Sequence, residues 1–72
     1  MNKFGERLKA LRIAKKLKQT DMAAFLEITA RHYQAVEYGK INIRTLTLIA
    51  LADYFDVPLD YLVGRSDDPA RR

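Results

Sequence analysis

Four residues in the middle of the chain, Ala30, Arg31, Gln34 and Ala35, combine hydrogen-bonding and small side chains within six positions. Arg31 can donate a pair of hydrogen bonds to guanine, and the amide of Gln34 can pair with adenine. The methyl groups of Ala30 and Ala35 could touch a thymine methyl, although alanine is also simply a strong helix former. All four follow Thr29, a residue type that often caps the start of a helix. The segment offers base-reading chemistry if a helix exposes it; for Arg31, the alternatives are a phosphate contact or free exposure to solvent.

The remaining residues offer little for catalysis or metal binding. The chain contains no cysteine, which excludes disulfides, thiolate zinc sites and a cysteine nucleophile. His32 is the one histidine, and without a His or Cys companion it is better interpreted as facing phosphate or solvent than as a metal ligand. The sequence has no Ser/His/Asp order, no glycine-rich phosphate loop and no evident pair of carboxylates. We therefore expect no enzymatic activity, no metal and no cofactor.

Charge is unevenly distributed along the 72 residues. The net charge is +4, but residues 1–44 carry ten basic and four acidic side chains, whereas residues 45–72 carry three arginines and five aspartates. This asymmetry indicates binding of a polyanion to one side, with ordinary solvated surface as the alternative. The basic residues of the first helix spread around its circumference, which disfavours a helix lying on a membrane surface.

Helical spacing of apolar residues predicts the elements that must position these side chains. We expect one all-α domain over residues 1–64 and a polar, flexible tail over residues 65–72. The apolar segment from Thr45 to Phe55 is too short to cross a membrane, and no secretory signal is evident, so we expect a cytoplasmic protein. The predicted helices run from about Asn2 to Lys16, from near Gln19, from Ala30 to Tyr38, from Thr45 to Phe55, and for a short turn after Pro58.

The second and third predicted helices are joined by a very tight turn. Ala23 is small where the two helices must approach, and Ile28 is apolar where a turn is normally polar, so it should point inward. Tyr33 and Val36 would face the core. This arrangement is the geometry of a helix-turn-helix, whose second helix enters the major groove of DNA.

From residue 7 to residue 62, the order and spacing of several short motifs follow one known pattern. The sequence resembles the repressor/Cro-type, lambda-repressor-like helix-turn-helix domains of phage repressors and many bacterial regulators. The strongest matching motifs are Leu17-Lys18-Gln19, Met22-Ala23, Val36-Glu37-Tyr38-Gly39-Lys40 and Ala52-Asp53-Tyr54-Phe55. The resemblance implies a compact five-helix fold that binds double-stranded DNA and regulates transcription.

The resemblance also implies roles for individual residues. Gln19 matches a glutamine that contacts the DNA backbone and sometimes a base, and Arg12 and Glu37 match a structural ion pair between the first and third helices. Lys40 and Arg44 match a loop that grips phosphate. The expected DNA-contacting residues are Gln19, Thr29, Ala30, Arg31, His32, Gln34, Ala35, Lys40 and Arg44.

Two residues depart from the family pattern. Glu27 stands where the turn usually has glycine, and a left-handed backbone there costs a non-glycine residue roughly 1–2 kcal/mol, so we expect the turn to be slightly reshaped. Lys18 replaces the usual Ser or Thr cap of the second helix. Asp21 could compensate in part, because a carboxylate in the first turn complements the helix dipole.

One outward face of the fourth helix is more apolar than expected. Leu46 and Ala50, extended by Tyr54 and Val57, predict a two-fold symmetric homodimer that places two recognition helices about one DNA turn (~34 Å) apart. Scattered surface apolar residues are the alternative. The predicted function is a regulator, acting as a repressor on an inverted-repeat operator and associated with the nucleoid when bound. The competing interpretation is a protein-interaction module of the same fold, such as the antitoxin of a toxin–antitoxin pair. The expected partners are double-stranded DNA, a second copy of the chain and a regulatory protein, and we expect no small-molecule ligand.

Overall fold

A computed structural model describes residues 3–70, and these residues form five helices with no strand among them. The helices are α1 (Lys3–Ala14), α2 (Gln19–Leu26), α3 (Ala30–Glu37), α4 (Thr45–Phe55) and α5 (Leu59–Leu62). The expected all-α, five-helix fold is confirmed. The predicted start of the first helix at Asn2 lies outside the described residues, as do residues 71–72 of the predicted tail.

The core is formed by buried apolar residues from all five helices. Tyr33 and Val36 of α3 are fully buried, as is Leu51 of α4. Burying one such side chain contributes about 1.5–3 kcal/mol, so the inward face of α3 is fixed by packing and its opposite face is left to solvent. The buried apolar residues are Leu8, Met22, Ala23, Tyr33, Val36, Leu51, Ala52, Phe55, Val57 and Leu62.

The position of Val57 differs from the sequence-based expectation. It was placed on the outward face of α4 as part of a dimer surface, but it is only 5% exposed and belongs to the core. The reason is the end of α4, where Asp56 adopts a left-handed conformation with φ 53° and turns the chain back. The backbone N–H of Val57 then donates to the carbonyl of Ala52 at 3.0 Å, which brings the valine side chain over the helix end.

All five helices end in this way. A left-handed residue follows each helix, and the N–H of the next residue donates to the carbonyl five positions earlier, which is the Schellman pattern. The predicted stops at Gly39 and Gly64 are two of these positions. At the other three the left-handed residue is not glycine. Those residues are Lys16, Glu27 and Asp56.

Two expectations change as a result. The first helix ends at Ala14 rather than Lys16, because Lys16 has φ 58° and Leu17 turns back toward the core. The turn after α2 is not reshaped by Glu27, which adopts the left-handed conformation itself, with φ 57° and ψ 42°. The following Ile28 bonds to Ala23 at 2.9 Å and packs against the core, as expected for an inward-pointing turn residue.

Gly5 allows α1 to lie directly against the end of α3. A Cβ atom at this position would collide with the backbone of Glu37 and come within 3.2 Å of the carbonyl oxygen of Val36. Glycine is otherwise unfavourable inside a helix by about 1 kcal/mol relative to alanine. The close approach of two backbones is therefore the physical reason for a glycine here.

The segment that follows α5 contacts α1 through Arg7. The guanidinium of Arg7 donates to the carbonyl oxygens of Tyr61 and Ser66 and to the carboxylate of Asp67, and it lies 4.2 Å from the centre of the Tyr61 ring. Lys3 adds a second ion pair to Asp67 at 3.8 Å. The expectation that residues 65–72 are flexible stays a prediction, and the structure adds an attachment point at residues 66 and 67.

Substituting Gly5 with alanine should destabilise the domain, although helix propensity alone predicts the opposite sign. Gly5→Ala gains about 1 kcal/mol in propensity but forces α1 away from a backbone that cannot yield, and overpacking of this kind costs about 1–3 kcal/mol. We expect a lower melting temperature and a lower free energy of unfolding in urea. A variant as stable as the original chain, or more stable, would show that α1 and α3 do not touch at this point.

Candidate nucleic-acid interface

The tight turn and its cap hold α3 against α2 while one side of α3 remains exposed. Thr29 caps α3, because its hydroxyl oxygen accepts the backbone N–H of His32 at 3.0 Å. At the start of α2, the carboxylate of Asp21 accepts the N–H of Lys18 at 2.7 Å. A direct hydrogen bond thus stabilises a helix start that lacks the usual Ser or Thr.

The exposed side of α3 carries most of the predicted base-reading residues. Arg31, His32 and Gln34 are exposed, and Ala35 is half-buried. Ala30 differs from expectation, because it is half-buried and packs against the core rather than lying wholly on the outward face. The reason is its position in the first helical turn, beside the inward-pointing Ile28. Arg31 and Gln34, three residues apart, lie on the same side of the helix.

A short row of side-chain hydrogen bonds connects this exposed surface to the interior. Gln34 Nε2 donates to Gln19 Oε1 at 2.9 Å, and Gln19 Nε2 donates to Glu37 Oε1 at 3.3 Å. The structure therefore brings Gln19, from the start of α2, into direct contact with Gln34 on α3. Sequence spacing alone gave no sign of this contact, because the two residues belong to different helices.

The inner end of this row is a buried ion pair between α1 and α3. Arg12 Nε donates to Glu37 Oε2 at 2.7 Å, and Arg12 Nη2 donates to Glu37 Oε1 at 3.3 Å. A third donor of Arg12, Nη1, bonds the carbonyl oxygen of Leu17 at 2.9 Å. The side chains of Arg12 and Glu37 are 11% and 1% exposed, so both charges are removed from water and depend on each other.

Burial and charge shift the titration of this cluster. Burial alone would raise the pKa of Glu37, but the hydrogen bonds that it accepts, above all from Arg12, outweigh burial and lower its pKa. Burial raises the pKa of Tyr33, and the neighbouring Glu37 carboxylate raises it further. The Tyr33 hydroxyl is buried without a well-formed hydrogen bond to any described residue. The carboxylate of Glu37 is therefore ionised and the phenol is neutral at neutral pH.

A second group of polar residues surrounds an open depression beside α3. His32 and Arg44 line it, together with Asn42 and Thr47 near the start of α4, over a partly apolar floor. Arg44 is the residue preceding α4, and its side chain does not cap the helix. Asn42 and Thr47 were not predicted to lie here, although a polar residue just before an apolar helix, such as Asn42, and one in its first turn, such as Thr47, were a usable signal. Lys40 is exposed directly after Gly39.

Although Val57 lies in the core and not on this surface, the outward face of α4 is still largely apolar. Leu46 is 79% exposed, Ala50 is exposed, and Tyr54 is 39% exposed. The ring of Tyr54 lies 4.5 Å, centre to centre, from the ring of Phe25, which is itself 44% exposed. Phe25 was not predicted to belong to this surface, because its position on α2 gave no indication that it would meet α4.

Residues 3–70 contain neither a membrane-spanning helix nor a metal-binding cluster. No helix in this part of the chain is long and apolar enough to cross a membrane. Within the same residues, no three His, Cys, Asp or Glu side chains are grouped so that they could hold a metal ion.

Comparison with known proteins gives consistent matches. The helix-turn-helix family model matches residues 8–62. A Bacillus subtilis protein named as the uncharacterised HTH-type transcriptional regulator YqaE is 44% identical over 66 residues, covering 90% of this chain and 57% of its own length. The SPbeta prophage-derived HTH-type regulator YonR of B. subtilis is 42% identical over 60 residues, covering 83% of this chain and 56% of its own. The chain thus spans little more than half the length of these relatives. No solved structure gave a significant match.

Removing the Glu37 carboxylate should destabilise the domain strongly. Glu37→Ala leaves the Arg12 charge buried without its partner, which costs about 3–5 kcal/mol, and this loss should appear in thermal and urea unfolding. The exposed Glu6 provides the control, since Glu6→Ala removes the same charge from a solvated position. An unchanged melting temperature in Glu37→Ala would contradict the interpretation of the ion pair.

The same pair should give stability a definite pH dependence. Because the pKa of Glu37 is lowered by folding, its contribution is complete above the ordinary glutamate pKa of about 4.3 and is lost as the pH falls through the lower native value. The free energy of unfolding should therefore fall more steeply below about pH 4.3 in the original chain than in Glu37→Ala. Parallel curves would argue against a lowered pKa.

Proposed function

This chain belongs to the helix-turn-helix family of DNA-binding transcriptional regulators, and we propose that it binds a specific double-stranded DNA sequence with α3 in the major groove. In this proposal it represses transcription from an inverted-repeat operator and acts on the chromosome in the cytoplasm. The observation that carries the proposal is the exposed side of α3, where Arg31 and Gln34 stand together on a helix whose other side is fixed in the core.

In this proposal, the exposed residues of α3 contact the base edges. The guanidinium of Arg31 suits the two acceptors of guanine, and the amide of Gln34 suits the donor and acceptor of adenine. Ala35 is small enough to let the helix approach a base pair, and its half-exposed methyl group can contact thymine. Ala30 contributes less than expected, because it also packs against the core.

In this proposal, residues at the start of α3 and in the loop that follows it bind the DNA phosphates. His32 and Arg44 share one depression, and Lys40 is exposed on the loop that leads to it. Thr29 keeps a hydroxyl hydrogen available, since its oxygen is the acceptor in the cap. His32 in the first turn of α3 and Thr47 in the first turn of α4 both line the depression, and helix starts favour anions. These contacts position the protein on DNA without reading its sequence.

We further propose that the protein binds its operator as a two-fold symmetric dimer. The apolar surface formed by Leu46, Ala50, Tyr54 and Phe25 is the candidate contact, and a second copy would bring an identical surface to cover it. Exposed aromatic and aliphatic side chains in one patch are a common mark of protein interfaces. Two copies related in this way would present two α3 helices to successive turns of the major groove.

The proposed DNA binding is tested by enriching a random duplex DNA pool on the protein and following the binding of the selected sequences across salt concentrations. We expect one inverted repeat, bound at least ~10³-fold more tightly than random DNA. Arg31→Ala should relax the preference at one base pair per half-site, at a cost of about 1–3 kcal/mol. Lys40→Ala should weaken binding to all sequences alike and reduce the salt dependence by about one phosphate contact.

Failure to enrich any sequence would contradict this proposal. Binding that merely fades with salt, without sequence preference, would reduce the basic surface to a general polyanion contact. The protein-interaction function, with the apolar surface of α4 on a different protein, would then be the better interpretation.

The dimer is tested with one acidic substitution on α4 and a matched one on α1. Leu46→Glu places a charge in the proposed interface, whereas Ile13→Glu places the same charge on an apolar residue of α1 that is also exposed. In sedimentation on the selected operator, we expect two copies per site for Ile13→Glu and a loss of the two-copy complex for Leu46→Glu. Equal behaviour of the two variants would exclude the α4 surface as the dimer contact.

A further inference from the structure

We propose that Glu37, although buried, is a positioning residue for base specificity: it fixes the orientation of the Gln19 amide, which in turn fixes the orientation of the Gln34 amide and makes Gln34 select adenine. The inference rests on the proposed DNA binding and deepens it, since it assigns a base to Gln34 and a second role to the ion pair. It follows from the direction of successive hydrogen bonds.

The first step is set by the chemistry of Glu37. An ionised carboxylate accepts hydrogen bonds and donates none. Both carboxylate oxygens of Glu37 accept hydrogen bonds from Arg12. The Glu37 side chain is 1% exposed, so water cannot readily take the place of these donors. Gln19 approaches Oε1 at 3.3 Å and can satisfy it only with its nitrogen. The inner end of the Gln19 amide is therefore NH₂, and the outer end is the carbonyl oxygen.

The orientation of the Gln19 amide in turn determines the orientation of the Gln34 amide. The carbonyl oxygen of Gln19 is an acceptor, so the Gln34 atom that lies 2.9 Å from it must be the nitrogen. If Gln34 turned its amide over, two carbonyl oxygens would face each other and the hydrogen bond would be lost. One N–H of Gln34 is thus committed to Gln19. Its second N–H and its carbonyl oxygen remain on an exposed side chain.

The oriented Gln34 amide matches the hydrogen-bonding groups of one base. The remaining N–H and oxygen of Gln34 form one donor and one acceptor in a fixed spatial order. Adenine presents N7 as acceptor and N6 as donor, whereas guanine presents two acceptors, thymine an acceptor and a methyl group, and cytosine a donor. A glutamine without the Gln19 contact could present the donor and acceptor in either order. Here a single order remains, and it fits adenine on one strand.

The test compares base preferences rather than affinity. Glu37→Gln can present either a donor or an acceptor to Gln19, which releases the amide orientation. On the duplex selected by the original protein, we measure binding to all four bases at each position. We expect the preference for adenine at the position assigned to Gln34 to fall at least about fivefold, while the preference at the position assigned to Arg31 changes less than about twofold.

A second variant covers the possibility that Glu37→Gln fails to fold. Gln19→Met keeps the Arg12–Glu37 ion pair and removes the amide between Glu37 and Gln34, so it should reduce the same adenine preference. Lys40→Ala is the control, since it should weaken binding without changing any base preference. The side-chain amide resonances of Gln34 should also shift in both test variants without DNA, and not in Lys40→Ala.

The possible results separate this inference from the function on which it rests. If the original protein selects a sequence but both variants keep its adenine preference, the orienting role of Glu37 is wrong and the proposed function stands. Unchanged Gln34 resonances in both variants would overturn the inference independently of DNA. If the original protein selects no sequence, both proposals fail together.

Discussion

The ion pair between Arg12 and Glu37 joins α1 to the last turn of α3, and most of the remaining structure is arranged around it. The backbone contact at Gly5 brings α1 close enough for the pair to form. The third donor of Arg12 then holds Leu17, where the chain turns toward α2. The orientation of α3 is therefore set by a contact that is buried between α1 and α3.

A buried ion pair of this kind is not, by itself, an efficient source of stability. Two charges removed from water recover about what they lost in solvation, and apolar side chains of similar volume often do as well. What apolar side chains cannot provide is direction, since only polar groups distinguish a donor from an acceptor. Glu37 accepts a hydrogen bond from the nitrogen of the Gln19 amide, which leaves the oxygen of that amide to accept one from Gln34 at the surface.

The sequence predicted the helices well, because apolar residues at helical spacing report directly which face is buried. The range of α4, the cap at Thr29 and the inward turn at Ile28 all followed from local patterns. The errors occurred where the chain reverses or where two helices meet. Val57 was assigned to the wrong side because periodicity cannot describe a residue beyond a left-handed turn. The Gln19–Gln34 and Phe25–Tyr54 contacts join separate helices, and one sequence without its tertiary packing does not reveal which side chains meet. The expected roles of the DNA-facing residues came from the family resemblance and remain predictions.

The left-handed residues at the helix ends have a consequence for how the domain folds. Lysine and glutamate do not favour that conformation, and aspartate adopts it less readily than glycine, so at positions 16, 27 and 56 the local sequence does not by itself impose the stop. What holds each of these ends is the apolar residue that follows, Leu17, Ile28 or Val57, which packs on the core only when the other helices are in place. The boundaries of α1, α2 and α4 are thus products of the assembled molecule. A peptide covering one of these helices would lack its natural end, and the helices and the core should form in one cooperative transition.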